Sequence, residues 1–249
     1  MGTLIRPSPS IITSASEPLK QEILSDGYRP GAALPTEREL VSTTGLSRGS
    51  VREALRILEA QGLVNTRAGR YGGTTVTQPT NDQLAGHITL YAKGRSVPLS
   101  ALVEVRLALE PMVAALAAAH RTEEDLVNLR AIAERIKWAA DNDLNAFLEE
   151  NVNWHDAIAA ASHNDLLQAF ATSVSGLMFE ASQIKEFASA EVRQRVLHAH
   201  ARILEAIEEG NADLASRRVE RDVQAYARIL EAVLATASDG KSASAGPNK

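Results

Sequence analysis

The spacing of hydrophobic residues changes near residue 80. Before it, short stretches with helical spacing are separated by glycines and followed by a stretch in which polar and apolar residues alternate. After it, long stretches with a 3.6-residue period run to about residue 236. Helices and strands impose periods of 3.6 and 2 residues. The pattern therefore predicts a mainly α protein: a small N-terminal unit followed by an all-α bundle of about seven helices.

Two short helices are predicted first. The first contains Leu19 and Ile23, one turn apart, and ends at the glycine-containing segment 27–31. The second begins after Thr36 and ends near the next glycine, because the tetrapeptide TERE has the form of a capping box, in which Thr36 and Glu39 bond to each other's backbone.

The next helix begins with charge and ends with apolar residues. The segment LSRGSVREALRILEAQG (46–62) starts with Ser47, a favoured N-cap residue, and ends at Gly62. Its core positions are Val51, Leu55 and Leu58. The following LVNTRAGRYGGTTVTQ alternates and contains three glycines, which predicts a two-stranded hairpin.

The chain ends carry no core pattern. Residues 1–16 are polar and contain proline and serine, which predicts a flexible arm, and residues 237–249 are low in hydrophobicity, which predicts a disordered tail. Between them lie a unit at 17–79 and a helical unit at 84–236. Its helices are predicted near 83–92, 98–119, 122–140, 143–161, 163–186, 190–209 and 211–236, with a kink at Pro111.

Composition and charge narrow the function classes. The 249 residues include no cysteine, which excludes disulfides and thiolate metal sites. The N-terminus lacks a signal peptide's features, and no apolar run approaches the roughly 18 residues of a membrane span, so we expect a cytoplasmic protein with no membrane partner. Residues 1–80 contain nine basic and seven acidic residues, against 17 and 24 in the remainder. The slightly basic N-terminal unit suits an anionic partner.

Three short helices followed by a hairpin is the order of a winged helix-turn-helix, in which the third helix enters the major groove of double-stranded DNA. Arg48 and Arg52 lie four residues apart at the start of that helix and can reach phosphates or guanine edges. Gly49 leaves room for the backbone to approach DNA. Together with further polar and basic groups, these residues form what we call the basic strip. The further groups are the hydroxyls of Ser47 and Ser50, Arg38 on the preceding helix, and Arg67 or Arg70 on the wing.

The helical unit contains four candidate metal ligands: Asn151, His155, His200 and Asp222. Asn151 and His155 are four residues apart, so both leave one face of one helix. Apolar residues follow both histidines, which suggests side chains that point into a bundle core, where helical proteins build metal sites. Two imidazoles with oxygen ligands suit Zn, Ni, Mn or Fe. The spacing alone is also compatible with a chance pairing, because the chain contains six histidines.

The N-terminal motifs resemble those of the GntR family of bacterial transcription regulators. Over residues 17–78 the resemblance is carried by LPTEREL, LSRGSVREALRILEAQGLV and GRYGGTTV, in that order. It implies a DNA-binding domain whose contacts are Arg38, Arg48, Gly49, Ser50, Arg52 and Gly69. The alternative is that the arginines only solubilise a small helical domain.

Residues 84–230 resemble the FadR-type effector-binding domain, through LVEVRLALEPMVAALAA, NVNWHDAIAAAS and HARILEAIEEGNADLASRRVERDV. Most metal-binding members place Asp-x-x-x-His on one helix and two histidines later. This chain matches at His155 and His200 and departs at Asn151, where Asp is usual, and at Asp222, where the last His is expected. Both departures keep an oxygen ligand, so the resemblance implies a divalent metal, with zinc expected first.

Arg106 has two interpretations. It lies four residues before Glu110, so the pair can be an ordinary ion pair on a helix surface. The resemblance instead places Arg106 near the effector cavity, where its guanidinium can bind a carboxylate with two hydrogen bonds.

These features predict a ligand-responsive transcription regulator, a repressor in the first instance. It would bind a palindromic operator as a homodimer and respond to a small carboxylate or sugar-acid effector. The alternatives are a metal-dependent helical enzyme and a regulator that senses the metal itself. Against the enzyme, the sequence has no persuasive acid/base pair, nucleophile motif or phosphate-binding loop.

Overall fold

A computed structural model describes the backbone of residues 9–25, 27–67, 69, 72–182 and 189–243. Side chains are described within these ranges from residue 16 to 230, except at residues 180–182. The chain divides into two compact units, residues 1–83 and 84–249.

The first unit has the predicted order of three helices and a hairpin. Its elements are α1 (Pro9–Leu24), α2 (Glu37–Thr44), α3 (Arg48–Ala60), β1 (Val64–Arg67) and β2 (Gly73–Val76). The strands are antiparallel, with Val64 opposite Val76 and Arg67 opposite Gly73. The three positions predicted for the core of α3 are buried, together with Ile23, Leu40 and residues of both strands.

Both predicted helix starts are confirmed in atomic detail. The backbone N–H of Thr36 donates to Glu39 Oε2 at 2.8 Å, and the N–H of Glu39 donates to Thr36 Oγ1 at 3.3 Å. Ser47 caps α3 by accepting from the N–H of Ser50 at 3.1 Å. These bonds satisfy backbone donors that a helix leaves unpaired at its start.

The turn between α2 and α3 depends on a glycine. Gly45 has φ +70°, and its N–H donates to the carbonyl of Val41. Glycine adopts this left-handed conformation at little cost. It ends α2 and lets α3 begin three residues later.

Seven helices follow in the described part of the chain. They are α4 (Asn81–Gly94), α5 (Leu99–His120), α6 (Glu123–Asn142), α7 (Leu144–Ala161), α8 (Asp165–Ser182), α9 (Ala190–Glu208) and α10 (Ala212–Ala243). The mainly α fold class is confirmed. Helix α5 runs through Pro111, and a kink there stays a prediction.

One core lies between the helices of the second unit. Trp154, Leu129, Ile203 and Ile207 are fully buried in it. Small residues of α5, among them Ala114 and Ala117, are equally buried; an alanine leaves space for a facing helix to approach closely. His155 lies on α7 and His200 on α9, and α5 packs against both of these helices.

The predicted ends of the units need correction. Residues 9–16, assigned to a flexible arm, belong to α1, and residues 237–243, assigned to a disordered tail, belong to α10. Residues 1–8 and 244–249 lie outside the described part. Low hydrophobicity misled both assignments, because proline is compatible with a first helical turn and alanine favours continuation of a helix. Helix α4 begins at Asn81, two residues before the start predicted near residue 83.

Among the described residues, no helix combines the length and apolar character needed to cross a membrane.

Replacing Leu129 by alanine is expected to lower the free energy of unfolding by about 2–5 kcal/mol, because its side chain is fully buried and the change leaves a cavity. Val127→Ala on the same helix is the control, since Val127 is 62% exposed; its effect should stay within about 0.5 kcal/mol. Urea unfolding monitored by circular dichroism measures both, and equal losses would contradict the assigned core.

Candidate functional site

The first turn of α3 presents polar groups to solvent. Arg48 and Gly49 are exposed there, and the Oγ atoms of Ser47 and Ser50 lie 2.9 Å apart. A Cβ added at Gly49 would only meet Ser47 Oγ at 3.7 Å, which is ordinary contact. Nothing inside the described unit therefore requires glycine at this position.

Arg52, one turn further along α3, is held by the preceding helix. Its Nε donates to Glu37 Oε2 at 2.8 Å, and the side chains are 64% and 41% exposed. Because Nε is used, the two terminal nitrogens of the guanidinium remain available for the bidentate contacts typical of arginine.

The remaining positions of the basic strip are less constrained. Arg38 and Arg67 are exposed. Gly69, in the turn between the strands, has φ +116°. Arg70, also predicted to contact DNA, lies outside the described residues.

A cavity of about 910 Å³ lies in the second unit between α5, α7, α9 and α10. It is lined by Arg106, Asn151, His155 and Asp222, among others. A cavity of this size suits a small organic molecule. The structure thus brings the predicted effector residue and three of the four predicted metal ligands to one space. The fourth, His200, lies against them.

His155 is fixed by hydrogen bonds on both ring nitrogens. Its Nδ1 lies 3.1 Å from Glu110 Oε2, and its Nε2 lies 3.3 Å from Arg106 Nη2. Arginine only donates and an ionised carboxylate only accepts. Together they assign the proton to Nδ1 and leave the lone pair on Nε2, which also faces Asp222 Oδ2 at 3.8 Å.

The ion pair of Arg106 and Glu110 lies beneath the cavity. The guanidinium binds the carboxylate through Nε and Nη2, the latter at 3.1 Å, and the side chains are only 7% and 12% exposed. Burial alone would raise the pKa of Glu110, but the charge of Arg106 and the hydrogen bonds from His155 and Arg106 outweigh it and hold that pKa far below its ordinary value. Glu110 is therefore ionised, which orients His155. The guanidinium also lies over the ring of Tyr226, 5.1 Å from its centroid.

His200 is buried between two other aromatic rings. Its ring stacks on Trp154 with centroids 4.8 Å apart and meets the His155 ring edge-on at 5.7 Å. Neither of its ring nitrogens has a hydrogen-bond partner among the described residues. Burial lowers the pKa of His200 well below its ordinary value. The ring is therefore neutral, and a lone pair remains without a donor.

Donor atoms of His155, His200 and Asp222 lie within 4.8 Å of one another. Burial raises the pKa of Asp222 and outweighs the opposing charge of Arg106. A bound cation would offset the free-energy cost of burying an imidazole without a hydrogen bond and a carboxylate, because it accepts electron pairs from both. The residues therefore fit a divalent metal ion. Asn151 lines the same cavity one turn before His155.

Sequence reasoning missed two contributors to this site. Glu110 was considered only as a partner of Arg106, yet it also fixes the tautomer of His155. Trp154, next to His155 in sequence, covers the face of the His200 ring. A carboxylate one turn after a cavity arginine was a usable signal for Glu110; nothing in the spacing pointed to Trp154.

Two known families match the chain. Residues 12–76 match the bacterial regulatory proteins of the gntR family, and residues 101–225 match the FCD domain.

Similar proteins are transcription regulators. The chain is 34% identical over 188 residues to the HTH-type transcriptional regulator LutR of Bacillus subtilis, covering 74% of this chain and 84% of LutR. It is 29% identical over 224 residues to the galactonate operon transcriptional repressor of Escherichia coli, covering 86% and 94%. Both are regulators and neither is an enzyme, so the metal-dependent enzyme is set aside.

The fold is also known. A GntR structure from Streptococcus agalactiae aligns with a TM-score of 0.66 and 24% identity, over 87% of this chain and 99% of that one. The chain is a member of the GntR family of transcription regulators and carries an FCD domain.

Proposed function

We propose that this regulator binds a palindromic operator as a homodimer and represses transcription until an acid enters the cavity of its helical unit. A divalent metal would be held there by His155, His200 and Asp222, with Asn151 as a further oxygen donor. The observation that carries the proposal is the buried, unpartnered His200 imidazole beside the carboxylate of Asp222. Such a regulator acts in the cytoplasm, where the chromosome lies.

DNA binding is assigned to the exposed first turn of α3. A helix start combines unpaired N–H groups with the positive end of the helix dipole, which favours phosphate. Arg48 and Arg52 extend from this turn, and Gly49 allows close approach. We assign Arg38 and the Ser50 hydroxyl to phosphates and the wing at Gly69 and Arg70 to the neighbouring groove or backbone, as in other winged helices.

The metal is supported by the donor set. Two neutral imidazoles and one carboxylate suit zinc, nickel, manganese or iron, and the absence of cysteine removes a thiolate site. Glu110 holds the Nδ1–H of His155, the outer hydrogen bond that commonly orients a metal-bound histidine. Once bound, the metal supplies a positive centre that attracts a carboxylate.

The effector is proposed to be a small carboxylate or sugar acid. The cavity has the volume for one, and Arg106 lies at its floor with a guanidinium suited to carboxylates. One relative is named a galactonate operon repressor, and galactonate is a sugar acid. The repressor assignment follows the same relative.

Two neighbouring helices leave apolar side chains exposed, which supports a dimer. Val105 and Met112 on α5 are 40% and 60% exposed, and Leu166 and Phe170 on α8 are 64% and 42% exposed. Helices α5 and α8 pack against each other. A second copy would cover this surface and place two recognition helices on a two-fold axis. An effector then regulates only if it binds one arrangement of the dimer better.

Arg48→Ala and Arg52→Ala are each expected to weaken binding to the upstream region of the protein's own gene by roughly 5- to 150-fold, the range for losing one bidentate base contact. Fluorescence anisotropy at fixed salt measures the dissociation constants.

Arg56→Ala is the control for this experiment, because Arg56 lies on α3 two turns beyond the first, with its side chain 77% exposed. Its effect should stay within about 3-fold. An unchanged affinity in both Arg48→Ala and Arg52→Ala would refute the assigned recognition helix.

Protein purified without a histidine tag is expected to contain about one divalent metal per chain, and His155→Ala and Asp222→Asn to lose most of it. Elemental analysis by mass spectrometry provides the measurement. His163→Ala is the control, because His163 is exposed and lies outside the cavity lining. No stoichiometric metal in the wild type, or full retention in His155→Ala, would contradict the metal site.

A further inference from the structure

The rim of the cavity is rich in arginine. Six of the twelve arginines in residues 81–249 line it: Arg106, Arg195, Arg202, Arg218, Arg221 and Arg228. The same part of the chain contains 17 basic and 24 acidic residues. Half of the arginines in this acidic part of the chain therefore lie around one cavity opening.

Two of these arginines already have acidic partners. Arg106 binds Glu110 beneath the cavity, and Arg218 lies 3.0 Å from Glu205 Oε2. The other four are exposed and have no carboxylate partner among the described residues. Among the described residues that line the cavity, Asp222 is the one that is acidic. The opening therefore carries positive charge beyond what the protein itself neutralises, and a proposed metal would add to it.

The helices place part of this charge at a distance from the floor. Helices α9 and α10 are joined by residues 209–211 alone, so they run antiparallel. Arg195 lies five residues before His200, and Arg228 lies six residues after Asp222. At 1.5 Å per residue, both arginines lie about 7–9 Å from the metal-binding level, toward the same end of the hairpin.

We infer, on the basis of the cavity being the effector site as proposed above, that the effector is an acid with two anionic ends. One end meets the floor at Arg106, His155 and Asp222. The other, a carboxylate or a phosphate, meets Arg195 and Arg228 at the rim. A guanidinium offers both groups paired hydrogen bonds, which a neutral hydroxyl at the same end of the ligand cannot match.

Gluconate, glucarate and 6-phosphogluconate test this inference, because they share one carbon chain and differ at the far end: a hydroxyl, a carboxylate or a phosphate. Galactonate and galactarate repeat the comparison with another stereochemistry. Titration calorimetry on metal-containing protein should show a dianion that binds at least about 10-fold more tightly than its monoanion. Which dianion wins distinguishes a carboxylate from a phosphate end.

Arginine variants test which residues cause the preference for a dianion. Arg195→Gln/Arg228→Gln should lower the affinity for the preferred dianion by about 10-fold or more, to that of the monoanion, whose own affinity changes by less than about 3-fold. Arg217→Gln, exposed on α10 but outside the cavity lining, should bind all five acids like the wild type. Circular dichroism confirms that the variants are folded.

Each other outcome is decisive. Monoanions that bind as tightly as their dianions, or a dianion preference that survives in the double variant, would overturn the rim assignment and leave the cavity as an effector site. If none of the five acids binds, the proposed acid effector falls with it.

Discussion

The helical unit depends on a buried ion pair. Arg106 and Glu110 lie at the floor of a cavity inside a bundle, where either charge alone would be costly. Glu110 is kept ionised by Arg106, and as an ionised carboxylate it accepts the Nδ1 proton of His155. That bond turns the other nitrogen of the ring, with its lone pair, toward Asp222 and the cavity. One pairing thus decides the chemistry available at the site.

The two units place polar side chains at different positions along their helices. In α3 the first turn is exposed and its polar groups are directed outward, while the later turns are buried. In α7 and α9 polar groups occur in the middle of the helix and point into the bundle, with His200 against Trp154. An exposed helix start suits a large anionic surface such as DNA. An enclosed polar group selects a small ligand that can satisfy it.

Much of the secondary structure was predictable from the sequence, because it depends on residues that are close together along the chain. Short-range sequence patterns predict the caps at Thr36 and Ser47, the helices and the hairpin. The structure confirms these predictions. The role of Glu110 was not predictable, because an exposed and a buried pair have the same i, i+4 spacing. The bond between Glu37 and Arg52 and the grouping of rim arginines on α9 and α10 depend on how helices pack, which no single stretch records. Polarity also misjudged residues 9–16 and 237–243, since a polar segment can still be helical.

We propose that His155 and His200 present neutral nitrogens to one cation. Nitrogen-15 NMR of the histidine rings, recorded as zinc is added to metal-depleted protein, tests this directly. We expect a proton on Nδ1 of His155 before zinc, and changes in the His155 and His200 rings that saturate together at one zinc per chain. The ring of His163 should not change. Zinc binding that leaves the His155 and His200 signals unaltered would contradict the proposal.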